Sequence, residues 1–277
     1  MRFFLGTHET HWLAKTTVPL FLSDRRLRTR RSLPVAAGEW ALDSGGFTEL
    51  STFGSWDHGP TPHQYVQNIR RYTDVIGGLR WAAPQDWMCE PEIIAKTGLS
   101  VAEHQHRTVT NVATLRSLAP DLPIAPVLQG WHPTDYLDCV DRYLSAGIDL
   151  ATEPIVGVGS VCRRQGTAEA AEIIACVTSA VPGIRLHGFG CKVSGLHRYG
   201  SLLTSADSMA WSAAARRNPP LPGCSHRNCA NCLNYALQWR DKQILSRPEQ
   251  LLLDLSPKGE GQSGTPRAFC HPSGDAA

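Results

Sequence analysis

The sequence predicts an α/β fold, a (β/α)8 or TIM barrel carrying a C-terminal zinc-binding knuckle and helix. Three observations predict it. Eight short apolar runs punctuate the chain, and amphipathic stretches of helical length separate the later ones. Acidic, amide and glycine residues gather just after the runs, where a parallel barrel carries its functional groups. A length of 277 residues suits one such domain.

The runs fall at residues 3–5, 18–22, 40–42, 79–83, 124–128, 154–158, 184–189 and 203–209. Helical patterns cover 62–76, 101–118, 133–146 and 167–181, and no helical pattern separates the first three runs. Asp43 follows the third run, Asp86 the fourth and Gln129-Gly130 the fifth. Gly157-Val158-Gly159-Ser160 closes the sixth, His187-Gly188-Phe189-Gly190 the seventh, and Asp207 lies in the eighth. Residues 1–255 are expected to form a single domain, with the knuckle at 224–232, and the small polar stretch 256–277 a disordered tail.

Composition narrows the class. An apolar content of 42 % allows a sizeable core, and no apolar run reaches the ~18 residues of a membrane span. The first residues lack the apolar core of a signal peptide, so a cytoplasmic protein is expected, its nine cysteines thiols or metal ligands and not disulfides. A net charge of +2 indicates no partner by itself. Residues 1–31, however, hold seven Lys/Arg against two acidic residues, and the basic run 25–31 reads either as a phosphate grip or as a solvated loop.

Asp43-Ser44-Gly45-Gly46-Phe47 carries the most chemistry. An acid at a strand end, a small hydroxyl and two glycines turn a backbone tightly under a flat ligand and leave the carboxylate facing a pocket. The plainer reading is a turn in which Asp43 caps backbone amides. Cys224-x-His226-x₂-Cys229-x₂-Cys232 offers four soft or borderline ligands within nine residues, which suits a closed, structural, tetrahedral Zn²⁺ site. His226 is the favoured fourth ligand, with Cys270-His271 as the alternative. Cys89, Cys139, Cys162, Cys176 and Cys191 show no ligand spacing and read as packing residues. Trp12, Trp87 and Trp131 read as stacking groups on rim loops or as core, and His8 and His11 as phosphate contacts or plain loop residues.

Taken together, these residues resemble the tRNA-guanine transglycosylase superfamily, and within it the DNA-acting deazapurine-in-DNA (DpdA-type) branch. The resemblance runs over roughly residues 40–245. It rests on Leu-Asp-Ser-Gly-Gly-Phe-Thr-Glu-Leu (42–50), Val-Leu-Gln-Gly-Trp (127–131), Gly-Val-Gly-Ser-Val-Cys-Arg-Arg (157–164), His-Gly-Phe-Gly-Cys-Lys (187–192) and Ser-Ala-Asp-Ser-Met-Ala-Trp-Ser (205–212). It implies a zinc-containing TIM barrel that exchanges guanine for a 7-deazaguanine, 7-cyano-7-deazaguanine foremost, without cutting the strand. It implies Asp43 as general acid/base, Asp207 as nucleophile, Ser44 beside the base and Phe47 stacked on it. Asp86 would read the guanine edge, Gln129 and Gly130 the base carbonyl, and Gly157 and Gly159 would complete the base pocket. The tRNA enzymes carry Cys-x-Cys-x₂-Cys and a distant His; Cys224-x₄-Cys229 with His226 between them departs from that and points to the DNA branch.

The chemistry requires such groups. Base exchange remakes a glycosidic bond at the same carbon, and a carboxylate nucleophile holds the sugar covalently so that water does not capture it. A second carboxylate manages the purine proton. Only guanine-like bases offer two donors to one carboxylate such as Asp86, although Asp86 also reads as a turn cap ahead of Pro91. A duplex base must leave the stack to reach the pocket. The expected partners are therefore nucleic acid, DNA favoured over tRNA, a 7-deazaguanine base and accessory DNA-modification proteins, with no membrane. The alternatives are the same exchange on tRNA and a non-catalytic nucleic-acid-binding subunit.

Overall fold

The computed structural model describes residues 1–161, 164 and 167–245. Eight strands lie among them: β1 (Arg2–Gly6), β2 (Leu20–Ser23), β3 (Trp40–Asp43), β4 (Leu79–Ala82), β5 (Val127–Leu128), β6 (Val156–Val158), β7 (Leu186–Gly188) and β8 (Ser205–Ser208). Each of the eight apolar runs overlaps one. They form one sheet in the order β4-β3-β2-β1-β8-β7-β6-β5, and every pairing is parallel. The sheet curls until its outer strands approach. There Ala82 and Ile124 form a parallel bridge, and Ala125 N–H donates to Ala82 O at 3.0 Å.

Strand parity sorts the side chains, because successive residues of a strand face opposite sides. Phe3, Leu5, Leu20, Leu22, Trp40, Leu42 and Ala206 pack outward in the main core under the helices. Phe4, Phe21, Ala41, Trp81 and Ala83 pack together inside the curl with Phe189 beside them. His187 completes this aromatic plug, 4.7 Å from Trp81 and 4.9 Å from Phe189 between ring centroids. By the same parity Ser23, Asp43 and Asp207 fall on the inner side, one step beyond Phe21, Ala41 and Ser205.

Helices cover the outside: α1 (Asp24–Leu27), α2 (Gly46–Phe53), α3 (Pro62–Val75), α4 (Pro91–Thr97), α5 (Val101–Leu118), α6 (Pro133–Ser145), α7 (Ala168–Ala180), α8 (Val193–Tyr199), α9 (Ala210–Arg217) and α10 (Leu233–Arg240). The four helical patterns of the sequence reappear as α3, α5, α6 and α7, within two residues at each end. α3 starts where Thr61 and Gln64 form a reciprocal capping box ahead of Pro62. Between the first three strands the chain makes only a 3-10 turn at Thr10–Ala14 and the four-residue α1, which is why no helical periodicity shows there.

Two charge and thiol expectations change. The basic run 25–31 is divided: Arg25 and Arg28 both pair with Glu49, buried in the first turn of α2, and Arg28 also reaches Asp24. Arg26, Arg30 and Arg31 remain exposed. Cys89, Cys139 and Cys191 are buried free thiols, but Cys176 is disulfide-bonded and so is more than a packing residue. Cys162, Cys270, His271 and the stretch 256–277 lie outside the described residues. Among the described residues no helix is long and apolar enough to cross a membrane.

Candidate active site

A cavity of about 590 Å³ opens at the C-terminal ends of the strands, above the aromatic plug. Asp43, Asp86, Gln129, Gly159 and Asp207 line it, with Phe47 at its rim. The parallel sheet brings these side chains together from four strand ends and the loop after β4, although the sequence separates them by up to 164 positions between Asp43 and Asp207.

The turn after β3 explains its own sequence. Gly45 adopts φ 83°, a left-handed conformation that any L side chain would strain, and a Cβ there would lie 2.7 Å from Arg25 Cγ. A Cβ on Gly46 would lie 2.9 Å from the Trp56 ring and 3.1 Å from Asp86 Oδ1, so this glycine lets Asp86 come close. Ser44 is buried beneath the turn, its hydroxyl 3.4 Å from Asp86 Oδ1 and accepting from Gly46 N–H. Phe47, 43 % exposed, stands in the first turn of α2 at the cavity mouth.

The three carboxyls occupy different environments. Asp43 is reached from the cavity but enclosed by protein. Burial pushes its carboxyl up to about 6, the Ser23 hydroxyl and Gly45 amide pull it down, and the charge of Asp207 pushes it up again. Asp86 is pushed up to about 7, first by burial and then by the charge of Asp43. Asp207 is held by Gly190 N–H at 2.7 Å and by His187 Nε2 at 3.4 Å, while His187 Nδ1 meets Ser205 Oγ at 2.8 Å. A carboxyl whose proton affinity burial raises, beside one held by donors, is an arrangement that can serve acid/base and nucleophilic chemistry.

Gln129 Nε2 donates to Asp86 Oδ2 at 2.6 Å. Gly159 makes room for that amide, since a Cβ would lie 2.2 Å from Gln129 Nε2. Two residues expected at the base lie elsewhere. A Cβ on Gly157 would meet the Phe189 ring at 2.5 Å, and one on Gly130 would meet Asp135 and Tyr136, so both serve packing beside the cavity. Of the tryptophans, Trp12 is core against Trp211, Trp87 is buried under the Arg107 guanidinium, and Trp131 lies under Arg164 at 3.9 Å. His8 lines the cavity, its imidazole pKa lowered by burial and by Arg26, whereas His11 pairs with Glu9 outside it.

Sequence reasoning missed Glu90 and, as a site residue, Ser160. Ser160 has φ 55°, unusual for a residue with a side chain and unfavourable by roughly 1–2 kcal/mol. Its Oγ accepts from Cys89 N–H at 2.7 Å and lies within hydrogen-bond reach of Gln129 and Glu90. A serine straight after Gly-Val-Gly was the available signal. Glu90 stands just before Pro91 at the start of α4, which reads as an ordinary helix beginning.

At the C-terminal end, the ligand atoms of Cys224, His226, Cys229 and Cys232 all lie within 4.8 Å of one another. Tetrahedral bonding at about 2.3 Å places thiolates roughly 3.8 Å apart, so this donor set fits a metal such as zinc. Ser212 of α9 donates to Ala230 O inside the loop, and Trp239 of α10 packs near Phe3 of β1 at 6.4 Å. The knuckle thereby joins two helices to the outer face of the sheet.

The family model described as DpdA, DeoxyPurine in DNA protein A, matches residues 1–256. The chain belongs to this family, the tRNA-guanine transglycosylase-like DpdA branch. No curated protein matches it.

Proposed function

From membership of the DpdA family, we propose that this chain is a DNA-guanine transglycosylase that exchanges guanine in DNA for a 7-deazaguanine base, 7-cyano-7-deazaguanine foremost. The observation that carries the reading is the convergence of Asp43, Asp86 and Asp207 on one cavity, with distinct surroundings for each. The contact between Ala82 and Ile124 supports reading the sheet as a complete (β/α)8 barrel, whose functional face is the end where this cavity opens.

In this mechanism the Asp207 carboxylate attacks C1′ of the deoxyribose. The C1′–N9 bond breaks, its electron pair goes to the purine, and Asp43 donates a proton to the leaving guanine. The incoming base gives its N9 proton to Asp43, attacks C1′, and Asp207 leaves as carboxylate. Atoms and charge balance without an external reactant. Asp43, held near 6, has a proton affinity suited to both half-reactions. Asp86 takes the N1–H and 2-amino donors of the base, which rejects adenine by leaving a buried acceptor unpaired. Gln129 fixes Asp86 and its second Nε2 hydrogen serves the base carbonyl. Phe47 stacks on the extruded base at the mouth. Cys224, His226, Cys229 and Cys232 hold a structural zinc, which contributes folding energy to the α9–α10 region.

The test is direct. The purified chain is incubated with 7-cyano-7-deazaguanine and plasmid DNA or bulk tRNA, and each nucleic acid is digested and its nucleosides are measured by mass spectrometry. A deazapurine deoxynucleoside formed by the wild type and absent with Asp207→Ala is the expected result. Product in tRNA alone moves the chain to the sister reaction, and no product in either favours a binding subunit.

A further inference from the structure

His187 is a fully buried polar ring in an otherwise apolar plug, and the reaction above gives it no task. Its centroid lies 5.9 Å from Phe4, 5.6 Å from Phe21, 4.7 Å from Trp81 and 4.9 Å from Phe189. A further apolar ring would fill that space equally well, yet both imidazole nitrogens have polar partners. Nδ1 lies 2.8 Å from Ser205 Oγ and Nε2 lies 3.4 Å from Asp207 Oδ1. Strand register sets this up. His187 of β7 pairs with Ser205 of β8, and Asp207, two residues on, shares the Ser205 face of the sheet. The ring therefore spans the two β8 side chains, both of them buried.

Hydrogen inventories fix the form of the ring. An ionised carboxylate only accepts, so the contact with Asp207 needs the imidazole hydrogen on Nε2. Nδ1 of the neutral ring is then an acceptor, and Ser205 donates its hydroxyl hydrogen to it. Ser205 thus selects the tautomer that holds Asp207. The second donor is Gly190 N–H, 2.7 Å from the same Oδ1, brought there by a turn in which Gly190 has φ 57°. Among the described residues no donor reaches Oδ2, and Asp207 lines the cavity. A single donor would leave the carboxylate free to pivot about Oδ1. Two donors, one from β7 and one from the turn after it, fix its plane.

We propose that Ser205 and His187 are positioning residues that pin Oδ1 of Asp207 and so present Oδ2 as the attacking atom. The inference rests on the reading of Asp207 as nucleophile. Oδ2 bonds to C1′ as the C1′–N9 bond breaks and its electron pair goes to the purine. In the return step N9 of the incoming base bonds to C1′, and Oδ2 leaves with the pair it brought. His187 keeps its Nε2 hydrogen throughout and transfers nothing. Its hydrogen bond sets the line of attack, where a displacement of about 1 Å costs on the order of 100-fold in rate. The aromatic rings packed around His187 hold it in that orientation.

The experiment measures three quantities for the full chain and its variants. They are kcat for exchange of 7-cyano-7-deazaguanine into plasmid DNA, calorimetric Kd for that base, and Tm. His187→Phe keeps an aromatic ring in the plug and removes both polar contacts, whereas His187→Gln restores an N–H donor toward Asp207. His187→Phe is expected to lower kcat by about 10- to 100-fold and to leave Kd within about twofold. His187→Gln is expected to recover most of that loss. Ser205→Ala, which frees the tautomer, is expected to lose less than His187→Phe, and in kcat alone. A folded His187→Phe protein with wild-type kcat overturns the proposal. So does one that loses kcat, Kd and Tm together with His187→Gln no better, since that is the behaviour of a packing residue. If His187→Phe does not fold, Ser205→Ala decides, and an unchanged kcat there overturns the proposal. The two readings fail separately. An inactive Asp207→Ala beside a fully active His187→Phe refutes the positioning role alone. Wild-type activity in Asp207→Ala, or no exchange by the wild type, refutes the nucleophile reading, and the proposal falls with it.

Discussion

Gly159→Ala isolates the orientation of Gln129 from the stability of the fold. The new Cβ would stand 2.2 Å from Gln129 Nε2, 2.6 Å from Cδ and 2.7 Å from Oε1. Contact at about 3.4 Å requires the amide to retreat by more than an ångström. Gly159 needs no left-handed backbone, so the methyl acts by volume alone. The obstructed atoms end a flexible side chain, so the fold yields there and overpacking lowers stability by about 1–3 kcal/mol at most, a few degrees in Tm. The contact with Asp86 does not survive the shift. A hydrogen bond to a charged group is worth roughly 1.5–3 kcal/mol, which is about a 10- to 150-fold loss of affinity for the base. Calorimetric Kd for 7-cyano-7-deazaguanine, with KM for that base in the exchange assay, reads the effect. Gly200→Ala is the control, because its Cβ would meet only ordinary 3.8 Å contacts. A folded Gly159→Ala protein that binds the base within about twofold of wild type would refute the assignment of Gln129 as the group that fixes Asp86.

Asp86→Asn is expected to stabilise the fold increasingly as pH rises. The carboxyl sits at about 7 in the folded chain against an ordinary 3.8, so between those values the folded state holds the extra proton. Its contribution is present below about pH 4 and is lost as pH rises through 7, whereas Asn stays neutral, so the variant's Tm should gain on the wild type between pH 4.5 and pH 8. A pH-independent difference in Tm contradicts this. Cys229→Ala is expected to lower zinc content and Tm together, measured by elemental analysis and thermal unfolding; full stability after zinc removal would count against a structural site.

Much of the scaffold was legible because its signals are local. A buried parallel strand is a short apolar run wherever it sits, and α5 at Val101–Leu118 declares itself over five turns of periodicity. The left-handed Gly45 was legible for the same reason, since the turn constrains the residue that makes it. The short helices α1, α4 and α8 were not, being one or two turns held by packing and not by their own periodicity. The pairing of Arg25 and Arg28 within the basic run 25–31 was not legible because their partner, Glu49, lies on another element.

The sequence by itself placed Asp43, Asp86, Gln129 and Asp207 at or just after strand ends, as expected for groups on one rim of a parallel sheet. Only the tertiary structure decided their neighbours. Asp86 meets Gln129 across 43 positions and Ser160 meets Glu90 across 70, contacts set by the register of parallel strands and the loops above them. Such contacts leave no periodicity in the chain, because each side chain is chosen for a partner that arrives only when the sheet curls.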